Sequence, residues 1–163
     1  MEGAKINITH YSGIYTLEVW QNLHTGIDEA WEFFSDPSKL SEITPSHMGF
    51  KITSGKPGRM YQGQVISYRI GILPLIKSNW VTEITAVVPC KYFIDEQRSG
   101  PYRIWHHEHH FKKSGEGLEM YDRVIYKIPL GPLGRLVHFL FIRKKLINIF
   151  TFRKYQLSKI FGE

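Results

Sequence analysis

Four of the chain's eight histidines fall in one run, Trp105-His106-His107-Glu108-His109-His110-Phe111. The run carries no helix signal, and as a strand it sends alternate side chains to opposite faces. Trp105, His107, His109 and Phe111 then share one face, while Ile104, His106, Glu108 and His110 share the other. Two imidazoles set between a tryptophan and a phenylalanine on a half-buried face are unusual for a plain core, because a buried polar ring needs a partner. Such a pair can hold the polar end of a ligand, move protons or ligate a metal.

The next segment offers the partner. Residues 118 to 128 alternate after Ser114-Gly115-Glu116-Gly117, and a four-residue loop there sets Lys113 opposite Leu118. His109 then faces Asp122, His107 faces Val124 and Trp105 faces Tyr126. A loop one residue longer or shorter would bring Arg123 to the histidine face instead. A carboxylate across from an imidazole orients the ring and raises its pKa. Three readings stay open: Trp105, His107, His109, Asp122 and Tyr126 form a polar island that meets a ligand's polar head; they form a self-satisfied structural network; or His107, His109 and Asp122 are acid/base candidates. The His107-x-His109 spacing also suits one metal, with Asp122 or Asp95 as the further ligand. A complete site needs more donors, so no metal and no cofactor is expected, and His106, Glu108 and His110 are read as a solvated face.

Phe93, Asp95 and Gln97 alternate on one face of the preceding segment and either extend the island or face solvent. Trp80, Thr82 and Ile84 make another same-face set, expected as cavity wall or core. Cys90 follows Pro89 at a turn with nothing nearby to lower its pKa, which argues against a nucleophile.

The elements that must position these residues follow from period. Tyr15 to His24 alternates as a strand. Thr25-Gly26-Ile27-Asp28 resembles a capping box, and Ala30, Trp31, Phe33 and Phe34 follow at helical spacing, predicting a helix over 27–35. Asp36-Pro37 starts a second short helix that Thr44-Pro45 stops. Strands are then predicted at about 48–54, 61–71, 77–88, 91–98, 102–112 and 118–128, giving seven in an antiparallel meander. After Pro129-Leu130-Gly131-Pro132-Leu133-Gly134, apolar residues recur at helical spacing from Leu136 to Ile160 as one long amphipathic helix. Phe139 and Leu146 are expected to face the ligand from it, with Arg143-Lys144-Lys145 and Arg153-Lys154 on its solvated back. Residues 1 to 12 read as a loose tail or a short extra strand.

At 163 residues the chain is expected to form one domain, with 1–163 as the unit. Aromatic residues make up 14% of it, enough to line a cavity as well as fill a core. The formal charge of +6 gathers in the last third but does not by itself name a partner. One cysteine and no apolar leader point to the cytoplasm. The charged run at 143–145 interrupts the best candidate for a membrane span, so stable membrane insertion is not expected. No phosphate-binding loop or nucleophile elbow is present, and aromatic and basic residues are not interleaved as nucleic-acid stacking requires.

The order strand, two short helices, six antiparallel strands, long helix resembles the START-like or SRPBCC superfamily. Local phrases look like its ligand-binding, polyketide-cyclase-like branch: Phe34-Ser35-Asp36-Pro37 with Leu40 and Ile43-Thr44-Pro45, Phe93-Ile94-Asp95-Glu96-Gln97 with Gly100-Pro101-Tyr102, Trp105-x-His107-x-His109-x-Phe111, and Asp122-Arg123-Val124-x-Tyr126. The resemblance implies an α+β helix-grip fold, a curved sheet around the last helix, with a cavity for lipids, polyketides or other apolar or aromatic molecules. The resulting expectation is a binder of a small hydrophobic ligand, with no nucleic acid as partner. The alternatives are a cyclase, dehydratase or hydrolase using His107/His109 with Asp122, and a peripheral lipid-handling module whose last helix touches membranes. Fold alone fixes none of these.

Overall fold

Among the described residues, alternating apolar residues fold into eight antiparallel strands, the seven expected and the short extra strand that was the alternative to an N-terminal tail. The computed structural model describes residues 6–73, 76–115 and 117–162. The strands are β1 (Ile6–Tyr11), β2 (Ile14–Leu23), β3 (Lys51–Ile52), β4 (Val65–Leu73), β5 (Ile76–Val88), β6 (Tyr92–Ser99), β7 (Ile104–Ser114) and β8 (Gly117–Lys127). They lie in the order β1-β2-β8-β7-β6-β5-β4-β3. The added strand is β1, which pairs residue for residue with β2 from Ile6 opposite Val19 to Tyr11 opposite Ile14. Its inward residues Ile6 and Ile8 pack on the core while its tip is exposed, which is why so short an edge shows little period in sequence. Residues 1 to 5 lie outside the described residues. The strand expected at 48–54 is only two residues long, and that expected from 61 begins at Val65.

Between β2 and β3 the chain makes the helix α1 (Ile27–Phe34) and two 3-10 turns, Pro37–Ser41 and Ser46–Met48. The second expected helix is thus the tighter 3-10 form. Its start is as read, with Asp36 Oδ1 accepting from the Ser38 amide at 2.9 Å. The cap expected at Thr25 is not made: Gly26 is the N-cap, and the Thr25 hydroxyl donates to Glu29 at 2.6 Å. After Leu130, held at φ +72, the C-terminal helix runs as α2 (Gly131–Val137), one π turn at His138–Ile142, and α3 (Arg143–Phe161).

Two apolar clusters hold the layers together. In one, Leu23, Trp31, Phe93, Phe111, Leu118 and Met120 meet Leu157 and Phe161 of α3. In the other, Tyr15, Leu17, Val19, Val124 and Tyr126 meet Leu146 and Phe150. Each large apolar side chain buried in this way contributes roughly 1.5–3 kcal/mol. The register of β5 against β6 shifts between Val81 and Thr82 and between Ile84 and Ala86, irregularities of the kind that bend and twist a strand. Among the described residues, no helix is long and apolar enough to cross a membrane.

Candidate functional site

Between the sheet and the C-terminal helix lies a cavity of about 440 Å3. Its walls come from β4 to β7, from α1 and the turns after it, and from the inner face of the C-terminal helix. Most of the lining is aliphatic or aromatic. Tyr68, Trp80, Tyr102 and Trp105 make a continuous aromatic wall, with Tyr68 stacked on Trp80 at 5.8 Å and Trp105 edge-on to Trp80 at 5.2 Å.

One patch of this wall is ionisable, and strand register builds it. β7 lies between β6 and β8; Asp95 is opposite His107, and Asp122 is opposite His109. Because the strands alternate, all four side chains point to the same face. Each histidine therefore reaches one aspartate directly and the other diagonally. His109 Nε2 lies 2.9 Å from Asp95 Oδ2, and His107 Nε2 lies 3.2 Å from Asp122 Oδ1. His107 Nδ1 is 3.5 Å from Asp95 Oδ2. His109 Nδ1 comes within 2.9 Å of Asp122 Oδ1 but off the line of an N–H···O bond, so that contact is an ion-pair approach without an aligned hydrogen bond. The two rings sit 3.7 Å apart, and Phe93 stacks on His109 at 4.0 Å.

Burial and charge sort the four groups. Burial opposes charge on Asp122, yet the hydrogen bond from His107 and the close approach of His109 hold it far below the usual carboxylate range. Asp95 is likewise held low against burial, chiefly by His109, with His107 and Arg153 adding to it. His109, between two carboxylates, has its pKa raised despite burial. His107 is pushed down to about 4 by burial and by the charge of His109, and stays neutral. The two imidazoles therefore differ in proton affinity, His109 holding a proton more readily than His107, and both are fixed between two carboxylates.

The sequence candidates separate by depth. Trp80, Phe93, Asp95, Trp105, His107, His109 and Leu146 line the cavity. Asp122 does not; it lies behind the histidines and fixes their far nitrogens. Tyr126 lies outside the lining too, its hydroxyl 2.8 Å from His138 Nε2, with His138 stacked on Tyr15. Phe111 packs into the core against Trp31 and Phe34. Gln97 braces the turn before β7, donating to the Tyr102 carbonyl at 2.6 Å and accepting from its amide. Phe139 is a correction: it is 76% exposed and points away from the cavity, because the π turn rotates it outward. His106, Glu108 and His110 lie on the outer face, where Glu108 links both imidazoles. Cys90 sits in a turn at φ +58 with its thiol pushed up by burial and by Asp28.

Two basic residues also depart from expectation. Lys145 lines the cavity, and its Nζ donates to the Gly71 carbonyl at 2.7 Å, tying α3 to β4. Arg153 is 9% exposed and turns into the cavity over Phe150, not onto the solvated back. The signal was available: buried positions 146, 150, 153 and 157 repeat at helical intervals, so Arg153 occupies an inward place in the stripe. Tyr68 on β4 and Tyr102 in the turn before β7 also line the cavity and were not singled out by spacing.

Asp95, His107 and His109 bring ligand atoms within 4.8 Å of one another, a donor set that a divalent ion could use. The contacts of both histidines with Asp95 already draw the same atoms together, so their closeness does not by itself call for a metal.

No family model matches this chain, and no curated protein matches its sequence. Solved structures do resemble it. Protein Ms6760 from Mycobacterium smegmatis aligns over 95% of this chain and 96% of its own at 14% identity, with a TM-score of 0.65. Protein CV1439 from Chromobacterium violaceum aligns over 91% and 97% at 12% identity, TM-score 0.67. Ara h 8.0201 aligns over 90% and 99% at 15% identity, TM-score 0.59. At such identities the likeness is one of fold, and the fold is the α+β helix grip, an antiparallel sheet closed on a long C-terminal helix.

Proposed function

We propose that the chain is a cytoplasmic binder of one small apolar or aromatic molecule, a single-chain lipid, polyketide or similar, held between the sheet and the C-terminal helix. The observation that carries this reading is the cavity itself, about 440 Å3, with mostly apolar and aromatic lining and one buried polar patch. Apolar walls with a few fixed polar groups are the usual design of a small-molecule site, and this volume is at the smaller end of the range. The resemblance of the 34–132 phrases to the polyketide-cyclase-like branch supports the ligand class. It supports a reaction less, because all four imidazole nitrogens lie within 3.5 Å of a carboxylate oxygen and none is free to meet a substrate. Native mass spectrometry of protein purified gently from its own host tests the reading. A copurifying apolar compound of one defined mass supports it; protein that stays at its bare mass through repeated gentle preparations counts against it.

A second reading has its own observation. Leu130, Leu133, Leu136, Phe139, Leu140 and Phe141 are each more than half exposed, beside Arg135, Arg143 and Lys144. The same segment borders the cavity through Leu130, Gly134 and Ile142. Apolar residues with basic neighbours suit an anionic lipid surface from which a ligand is collected. Flotation with phosphatidylserine vesicles at low salt should carry the protein upward, and Phe139→Asp should release it. Equal flotation of wild type and Phe139→Asp, or none of either, removes this reading.

A further inference from the structure

Among the described residues, four buried side-chain atoms have no hydrogen-bond partner: Gln64 Oε1, Trp80 Nε1, His109 Nδ1 and Arg153 Nε. Gln64 does not line the cavity, and His109 Nδ1 faces Asp122. The two that remain, Trp80 Nε1 and Arg153 Nε, belong to cavity-lining residues, and both can only donate. A buried donor without an acceptor is costly, and a guanidinium more so than an indole. Arg153 is nine-tenths buried, and among the described residues no carboxylate lies within ion-pair distance of it. The nearby acids are already engaged. Asp95 Oδ2 accepts from His109 at 2.9 Å, Asp95 Oδ1 faces the Thr82 hydroxyl at 3.4 Å, and Asp122 lies behind both histidines. Among the described residues, the cation–π partner of the guanidinium is the Phe150 ring, 5.1 Å away.

Resting on the cavity reading, we propose that the ligand is an acid: an apolar or aromatic body whose anionic oxygen group, a carboxylate or enolate, docks on Arg153. Trp80 Nε1, on the sheet side of the cavity, offers a second place for an oxygen acceptor. The guanidinium's planar fork matches a two-oxygen anion, and the dry surroundings strengthen the pair. A cavity of about 440 Å3 accommodates a single chain or a few fused rings, which sets aside two-chain phospholipids.

The test uses the neutral dye N-phenyl-1-naphthylamine, whose fluorescence rises in apolar cavities, with dodecanoate and dodecan-1-ol as matched competitors. Dodecanoate should displace the dye from wild type at about 10-fold lower concentration than the alcohol or better. Arg153→Met should erase that preference while leaving dye binding and dodecanol affinity within about twofold. Thermal unfolding of Arg153→Met should be little changed, since the variant removes a buried charge that has no direct ion-pair partner and acts on Asp95 only at longer range. Dye that binds wild type but is displaced equally by acid and alcohol, or a preference that survives Arg153→Met, overturns the acid assignment and leaves the cavity reading standing. Failure of the dye to bind wild type at all overturns the cavity reading and this inference with it.

Discussion

Asp122 is the residue on which the polar wall depends. It is 4% exposed and holds both histidines from behind. Replacing one member of a buried ion network leaves the other charges unpaired, which typically costs about 3–5 kcal/mol. Asp122→Asn should therefore lower unfolding free energy in denaturant titration by that order. Arg59→Gln, which breaks the exposed pair with Glu32, should change it by less than about 1 kcal/mol. Similar losses for the two variants would show that the network is not structurally important.

The same groups set the response to pH. Burial pushes His107 down to about 4, and burial with the charges of Arg143 and His10 does the same to His138. Both take up protons more readily once unfolded, so they lower stability as pH falls from about 6.5 toward 4. His109 runs the other way: its pKa is raised, so its contribution is whole below about 6.5 and is lost as pH rises through its folded value. Asp122 and Asp95 are held low and keep their contribution until the pH falls below about 4. The thermal midpoint should decline on acidification from pH 6.5 to 4.5, less steeply in His138→Gln. A midpoint that climbs across that window contradicts the assignment.

At the scale of elements, the C-terminal helix has two faces with opposite roles. Phe150 is 3% exposed against the sheet, whereas Phe139 is 76% exposed on the turn before α3. Phe150→Ala should cost about 3–5 kcal/mol through transfer and cavity terms. Phe139→Ala should stay within about 0.5 kcal/mol in the same denaturant titration. Equal costs would mean that the helix packs differently.

This helix also marks how far the sequence could be read. Alternation placed β5 to β8, and the turn at 114–117 set the register of β7 against β8, where one face is buried and a slip of one residue would turn every side chain over. His109 opposite Asp122 followed from that register alone. Asp95 entered as a matched-face residue, yet its contact with both histidines depends on β6 lying beside β7, a pairing between strands that no local period encodes in detail. Arg153 was read as solvated because charge suggested surface, although its spacing from Leu146, Phe150 and Leu157 put it inside. Phe139 failed for the converse reason: an ideal 3.6-residue period does not anticipate a π turn, which resets the facing of the residues within it. The short β1 was legible only as one of two alternatives, a loose tail or an extra strand, because an edge strand with one half-buried face leaves little alternation to detect.

For the whole molecule, the cavity represents stability left unused. Two apolar clusters meet α3 on either side of a space that larger side chains could fill. An occupant that binds only the folded chain should restore part of it, raising unfolding free energy by about 2.7 kcal/mol at 100 times its dissociation constant. Dodecanoate added at such an excess should thus raise the thermal midpoint, and an unchanged midpoint would contradict binding to the native fold.

The central claim is that a ligand occupies the space between the sheet and α3, and the most direct measurement is a dye titration against a plugged cavity. Ile149 lines the cavity from α3 and is half-buried, so Ile149→Trp should fill the space without breaking the core. N-phenyl-1-naphthylamine should bind wild type at one saturable site, and Ile149→Trp, folded to the same thermal midpoint or higher, should weaken it at least tenfold. Undiminished binding to the plugged variant would place the dye elsewhere and contradict the account.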